Sequence, residues 1–473
     1  MRLVPNLPTA IVACAAVLAG CGATGPDYRR PDFDLPPAQP ARAAPDLRGL
    51  WDAFDDPVLD GFLHEAARNN QDLALAAARV EEARALARVS ASGRYPSVNA
   101  ALGVIRFPTL DSTVGGVQTR TAGEGGSEAA YQLALTATYE IDFWGRLSRA
   151  DEAARARLLA QDANRRLVRN NLYVSLVETY VSLRAFDAQV ALAESTRRMR
   201  HDALRLQQVR SSAGSASMAD LYRAEAAAAL ADLTATQARQ SVALTEALMA
   251  VLLGRSPAAI SAPDIARGAD IATLHRHLAA PPDLPSDLLN RRPDILRAEQ
   301  GLVAAHADVG QARAAYFPTV KLGAALGSAS ALSSPTELLW NLGAGLFQPL
   351  FNGGALDGAV QGAQARQSQA LADYVKTVQN AFRDVHDALV RTQAGRQAAR
   401  SAQERAAALQ QVADLSAYKY ERGYISYQDL VETQLDLYQA QAAVIDAQRG
   451  YFLSLLGLYR AVGGNWNGER QGR

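Results

Sequence analysis

From Gln132 to Phe143 apolar and polar residues alternate without a break. Leu133, Leu135, Ala137, Tyr139, Ile141 and Phe143 take one side, and Gln132, Ala134, Thr136, Thr138, Glu140 and Asp142 the other. A period of two marks a strand with one apolar face. Its length suits a tilted strand crossing a bilayer, which takes roughly 9–11 residues. With the stretch that starts at Ser97 it predicts a β-hairpin over about 97–143 around a Gly- and Thr-rich loop. The pattern returns as Val320, Leu322, Ala324, Leu326 and then Trp340, Leu342, Ala344, Leu346, a second hairpin over about 319–351. One such hairpin alone fits a soluble sandwich equally well; its return favours a membrane. Four strands cannot close a barrel, and an open edge cannot face lipid. Several chains must pool their strands, and three would give twelve. Phe143-Trp144 stands where an aromatic girdle belongs.

Beyond Gly145 the period changes. Arg146 to Arg210 runs without a single Pro or Gly. As one helix it would span roughly 100 Å. Asp357 to Arg422 matches it. Such length without caps means coiled coil, membrane helix or helical array, and the many Arg, Gln and Asp exclude the membrane helix. Leu158, Leu159, Leu167, Leu172, Leu176, Tyr180, Leu183 and Phe186 recur with Ala between them, as in a closely packed coiled-coil wall. Shorter helices are predicted at Pro57–Asn69, Asp72–Gly93, Ser217–Leu253, Asp294–Ala315 and Ser426–Val462. Tyr95-Pro96 ends the second of these, because the residue before Pro avoids the α region. Asp72–Gly93 and Ser217–Leu253, stacked end to end, would nearly match one long helix. That arithmetic describes a cylinder wall.

The chain states this plan twice. Asp72, Leu73 and Tyr95-Pro96-Ser97-Val98 return as Asp294, Ile295 and Phe317-Pro318-Thr319-Val320, an offset of 222. Phe143-Trp144-Gly145 returns as Phe351-Asn352-Gly353 at 208, and Gly214 with Asp220-Leu221 as Gly423 with Asp429-Leu430 at 209. The second copy is therefore expected to lack about fourteen residues where one hairpin turns. A period above two hundred is a duplicated domain, not a solenoid repeat. The expected organisation is a signal peptide over 1–20, a tether over 21–56, a first repeat over 57–254 with its coiled coil at 146–253, a linker over 255–285, a second repeat over 286–464 with its coiled coil at 355–462, and a tail over 465–473.

Composition narrows the partners. The 48 acidic and 48 basic side chains cancel, so no field for nucleic acid is present. Ile11 to Leu18 is too short an apolar run for a mature membrane helix, and no apolar run after Cys21 approaches the length of a bilayer span. Leu18-Ala19-Gly20-Cys21 resembles a bacterial lipobox, which implies a covalent lipid on Cys21 and, with Gly22 next, sorting to the outer membrane. Cys14 lies inside the signal, so the mature chain holds one Cys and no disulfide. Six prolines from Pro26 to Pro45 predict an extended tether.

No catalytic chemistry emerges. Of the six His residues, His275 and His277 stand two apart in the linker, without Cys or carboxylates at metal-ligand spacing nearby. There is no Gly-x-Ser-x-Gly elbow, P-loop or dinucleotide fingerprint. Asp55-Asp56 reads as a helix start and Glu81-Glu82 as a solvated face. The expectation is a protein that is not an enzyme and holds no metal or cofactor beyond its lipid.

The order of parts, together with Arg291-Arg292-Pro293-Asp294, Tyr316-Phe317-Pro318, Tyr420-Glu421-Arg422-Gly423 and Gln428-Asp429-Leu430-Val431-Glu432, resembles the TolC-like outer-membrane factors of tripartite efflux pumps, in their OprM-like and NodT-like lipoprotein branch. The likeness runs from Cys21 to about Trp466. It implies a mainly α protein with a membrane β-barrel: a homotrimer forming a 12-stranded outer-membrane barrel on a long α-helical periplasmic barrel. It implies a passive conduit for small molecules such as drugs, lipid-anchored in the outer membrane, served by a periplasmic adaptor and an inner-membrane transporter of the RND type. An outer component of a type I protein secretion system is the sibling reading, and a non-spanning lipid-anchored coiled-coil scaffold the reading from another class. The resemblance also implies a periplasmic gate in which Tyr420 bonds Asp220, with Asp429 and Glu432 forming acidic rings. The adaptor would touch Gly214, Ser215, Arg422, Gly423 and Ser426. Some members carry Arg two residues after the second tip Gly, where this chain has Ile425, so the lock is open to different wiring.

Overall fold

The computed structural model describes residues 25–32, 56–108, 113–114, 117–118, 127–274, 288–331 and 337–463. The lipobox with Cys21, both linker histidines and the 465–473 tail lie outside these residues. In chain order the elements are α1 (Pro57–Asn69), α2 (Gln71–Ser92), β1 (Ser97–Pro108), β2 (Thr113–Val114), β3 (Val117–Gln118), β4 (Ser127–Ile141), α3 (Arg146–Ser212), α4 (Met218–Leu252), α5 (Pro257–Ser261), α6 (Ile271–Leu274), α7 (Leu288–Arg291), α8 (Pro293–Ala314), β5 (Thr319–Ala331), β6 (Glu337–Phe347), α9 (Ala355–Glu421) and α10 (Tyr427–Ala461). The protein is mainly α with a duplicated strand-hairpin and long-helix repeat. Among the described residues no helix is long and apolar enough to cross a membrane.

The repeat is more regular than the sequence motifs suggest. Helices α2 and α8, like strands β1 and β5, start at the offset of 222. The long helices α3 and α9, both 67 residues, and the descending helices α4 and α10, both 35 residues, start at an offset of 209. The sheet agrees, because Ser97 faces Thr138 and its equivalent Thr319 faces Phe347, again 209 later. The offset of 208 at the aromatic-Gly corner is thus a one-residue misalignment. Gly145 corresponds to Gly354, both at positive φ (73° and 85°), and the second copy lacks thirteen residues rather than fourteen. A helix start and a pleat fix register; a shared Phe and Gly do not.

The chain divides into two compact units. The first comprises Met1–Asp32, Val80–Gln161 and Ala298–Tyr374. It holds an antiparallel sheet in the order β1-β4-β5-β6. Register lines up rows across the strands. One face carries Val98, Ala137, Ala324 and Leu342 in one row, and Ala100, Leu135, Leu326 and Trp340 in the next. The other carries Ser97, Thr138, Gly323 and Gly343, then Asn99, Thr136, Ala325 and Asn341. On that second face Glu140 stands directly opposite Lys321, and Arg146 bonds Glu140 at 2.7 Å. Among the described residues the outer strands β1 and β6 each have one edge without a partner strand.

Trp144 does more than mark a girdle. Its indole stacks on Phe317 with centroids 4.6 Å apart, and its Nε1 donates to the Pro318 carbonyl at 2.9 Å. The aromatic corner of the first copy thus clasps the Phe-Pro corner of the second. The segment Gly25–Asp32 is also fastened, although it has neither helix nor strand. Arg30 forms a two-pronged pair with buried Glu299, at 2.6 and 2.5 Å. His306 donates from Nε2 to the Pro26 carbonyl at 2.8 Å while Gln367 donates to its Nδ1 at 2.9 Å.

The second unit comprises Phe33–Arg79, Asp162–Arg297 and Val375–Arg473. Its core joins Leu59, Phe62 and Leu63 of α1 with Leu176, Tyr180 and Leu183 of α3, Met249 of α4, and Phe452 and Leu455 of α10. Ile265 and Leu274 belong to the same core, so the described part of the linker packs inward. Buried Asp56 caps α1 through Val58 N and Leu59 N, and also accepts from Tyr180 Oη at 2.6 Å and Ala269 N at 2.9 Å. One carboxylate therefore ties α1, α3 and the linker.

Two junctions in this unit realise the end-to-end stacking. Asn70 Nδ2 donates to the Leu252 carbonyl at the end of α4, at 3.0 Å, while its Oδ1 accepts from Asp72 N and Leu73 N at the start of α2. In the second copy Arg292 Nη1 donates to the Ala461 carbonyl at 3.0 Å, and Nη2 pairs with Asp294 and Asp384. Arg292 stands at the offset of 222 from Asn70, and Ala461 at the offset of 209 from Leu252. The two bonds are therefore the same bond in each copy.

Candidate gate at the helix tips

Each long helix ends in the same way. Gly214 and Gly423 adopt φ of 73° and 77°, a left-handed turn that favours glycine. Behind them Ser215 N donates to the Arg210 carbonyl at 2.8 Å, and Tyr424 N to the Lys419 carbonyl at 2.9 Å. The next helix starts on a Ser cap. Ser217 Oγ accepts from Asp220 N at 3.1 Å, and Ser426 Oγ from Asp429 N at 3.2 Å. In the second tip Ser426 N also donates to Asp429 Oδ2 at 3.0 Å, completing a reciprocal capping box.

These caps occupy the acidic residues expected at the gate. Asp220 accepts from Ser217 Oγ at 2.7 Å and pairs with Arg223 at 3.3 Å, one turn along its own helix. Asp429 accepts from Ser426 Oγ at 2.8 Å, and that hydroxyl, helped by the Ser426 amide, holds its carboxyl below the usual carboxylate range. Glu432 is exposed and accepts from Gln428 at 2.9 Å. Arg422 lays its guanidinium over the Tyr418 ring, 4.2 Å from the centroid. Ser215 Oγ donates back to the Arg210 carbonyl at 3.0 Å.

Tyr420 is not bonded to Asp220. Its hydroxyl accepts from Gln207 Nε2 at 2.9 Å and from Arg210 Nη1 at 2.8 Å, both on α3. Gln207 is 2% exposed, so its amide depends on that hydroxyl. The reason is geometric. Asp220 is drawn onto its own helix start, and α3 presents two long donors to the ring instead. Tyr420 packs beside Tyr427, Leu430 and Ala224, with ring centroids 5.8 Å apart for the two tyrosines. Tyr427 is buried, and among the described residues its hydroxyl has no hydrogen-bond partner. Burial pushes it above the ordinary tyrosine range, against the pull of Arg200; the Asp220 charge adds a smaller push. Arg200 is itself buried, and donates to Gln434 Oε1 at 2.9 Å.

Sequence reasoning named Tyr420 and missed Gln207, Arg210, Arg200 and Tyr427. A signal existed in the repeat: position by position at offset 209, Ser211 answers Tyr420 and Met218 answers Tyr427. The tips differ most where a lock would need asymmetry. Among the described residues no cluster of His, Cys, Asp and Glu could hold a metal ion.

A family model described as outer membrane efflux protein matches residues 62–255 and 284–464. The chain is 34% identical over 438 residues to the pyoverdine export outer membrane protein OpmQ of Pseudomonas aeruginosa, covering 91% of this chain and 90% of that one. It is 29% identical over 462 residues to the probable outer membrane lipoprotein SilC of Salmonella typhimurium, covering 95% and 97%. Among solved structures, the CmeC outer membrane channel of Campylobacter jejuni superposes with a TM-score of 0.85 at 21% identity, over 94% of this chain and 95% of the other. That last likeness concerns the fold.

Proposed function

The chain belongs to the outer membrane efflux protein family, and from its place there as an outer-membrane efflux channel we propose a passive conduit built from three copies. The observation that carries the reading is the sheet: one apolar face, one face on which Ser, Thr, Asn, Glu140 and Lys321 stand among Gly and Ala, and, among the described residues, an unpaired edge on each outer strand. In lipid every backbone group must find a partner, so such a sheet has to close with others. Three chains supply twelve strands, with the polar face lining the pore. The lipid on Cys21 holds each chain to the outer membrane. Cargo is small molecules, in keeping with the export role in the name of OpmQ.

Energy comes from elsewhere. An inner-membrane transporter of the RND type drives export, and a periplasmic adaptor grips the tips around Gly214–Ser215 and Arg422–Ser426. The closed state is held by Tyr420 against Gln207 and Arg210, with Asp429 and Glu432 as acidic groups nearby. The adaptor opens the conduit by drawing α9 and α10 away from α3. The test is purification from membranes followed by planar-bilayer recording. The expected result is a heat-resistant trimer with discrete single-channel steps, and a palmitate label lost in Cys21→Ser. A lipid-anchored monomer without conductance would overturn the reading.

A further inference from the structure

Arg200 carries its charge into the protein without a counterion. It is 5% exposed. Its Nη1 donates to Gln434 Oε1 at 2.9 Å and its Nη2 to the Val431 carbonyl at 3.4 Å, and among the described residues no carboxylate pairs with it. Burial holds its guanidinium below the ordinary arginine value, and the Tyr427 phenol opposes this. A buried cation served only by neutral acceptors is costly. The acids on the same stretch of α3 and α4 are engaged elsewhere. Glu194 is held by Arg197 at 3.0 Å and by Arg239, and Asp232 bonds His201 at 3.0 Å.

The guanidinium lines a groove of about 80 Å³ between α3, α4 and α10. Ala193, Ala227, Leu230, Ala231, Val431 and Leu435 make its wall apolar, and among the described residues Arg200 is the one charged side chain in the lining. Leu230 and Leu435 are exposed, so the mouth of the groove is open.

We propose that this groove binds a short amphiphilic carboxylate, its carboxylate on Arg200 and its aliphatic tail against Ala227, Leu230 and Leu435. Charge selects an anion, because the guanidinium lacks one. Shape selects a carboxylate, whose two oxygens match the planar fork of an arginine. The wall selects an apolar tail. Its size limits that tail: the groove is about half of the ~150 Å³ in which a benzene ring sits, which leaves room for about three to five carbons. Val431 also belongs to the cluster that includes Tyr420 and Tyr427, so the site adjoins the gate. It lies within one chain and stands whether or not three chains form a conduit.

Pentanoate titrated against the full-length protein in lipid nanodiscs tests this. Saturation-transfer NMR reads the bound tail, and empty nanodiscs give the background. The expected result is saturable binding to the parent. Binding should be at least tenfold weaker in Arg200→Met, which removes the charge. The same loss is expected in Ala227→Leu, which keeps the charge, fills the groove and suits a helix. Acetate, which lacks the tail, and pentylamine, which carries the opposite charge, should not displace pentanoate from the parent. Binding that survives both substitutions, or that pentylamine displaces, is partition into lipid and overturns the proposal. Absence of saturable binding to the parent overturns it as well.

Discussion

The Tyr420 hydroxyl accepts a hydrogen bond from Arg210 at 2.8 Å and leaves Asp220 to accept from Ser217, the cap of its own helix. A lock built this way depends on α3 donors. Each hydrogen bond contributes about 0.5–1.5 kcal/mol net, and more where it leaves a buried amide such as that of Gln207 unpaired. Tyr420→Phe and Arg210→Ala are therefore expected to raise conductance of the closed channel in planar bilayers. Asp220→Ala should leave it near the parent value and cost about 0.5–1.5 kcal/mol for the lost hydrogen bond to the Ser217 cap. The opposite ranking, with Asp220→Ala open and Arg210→Ala closed, would restore the Tyr–Asp lock.

Gly254 and Gly214 share nearly the same backbone, φ 70° and 73°, but not the same surroundings. A Cβ at Gly254 would stand 2.2 Å from the Asn69 carbonyl oxygen, whereas at Gly214 nothing lies within 4 Å. Gly214→Ala should cost about 1–2 kcal/mol from the left-handed backbone alone. Gly254→Ala adds overpacking of about 1–3 kcal/mol at the junction. Thermal melting of the two variants gives the order, and equal losses would show that the junction yields.

Burial raises the Glu178 carboxyl above its ordinary value, and Arg460 only partly opposes it. It lines a groove of about 850 Å³ with Arg292, Asp384, Arg391 and Arg460. A carboxyl with a raised folded pKa contributes its stability below the unfolded value of 4.5 and loses it as pH climbs through the folded value. Glu178→Gln is thus expected to melt higher than the parent near pH 7 and to converge with it near pH 4. A variant that melts lower at pH 7 would mean that the Arg460 pairing outweighs burial.

Arg30→Ala removes both prongs from a buried carboxylate. Hydrogen bonds to charged groups contribute about 1.5–3 kcal/mol, so the segment around Pro26 and Tyr28 should detach. Tryptic cleavage at exposed Arg29 is the measure, faster in the variant at equal trimer content. An unchanged rate would assign the docking instead to His306 and to Arg149, which donates to the Gly25 carbonyl at 3.2 Å.

The plan of this protein is legible in the order of its amino acids. A period-two stretch can only serve a sheet with one apolar face, a run as long as Arg146–Arg210 without Pro or Gly can only be helix, and a motif that returns at a fixed offset is a duplication. The same order named the tip glycines, whose left-handed turns follow from local backbone chemistry, and Asp56 as a helix start. What it missed depends on groups far apart in the chain. The true offset of 209 at the corner emerged from strand register, which hydrogen-bonded pairs set and a shared Phe does not. The rewiring of Tyr420 required knowing that Ser217 claims Asp220 while Gln207 and Arg210 reach across from α3. The role of Asn70 and Arg292 as equivalents at two junctions was equally invisible, because an amide and a guanidinium share no motif, only a carbonyl to donate to. Local preferences are written residue by residue. Which donor meets which acceptor is decided by competition in space, and only the folded chain settles that.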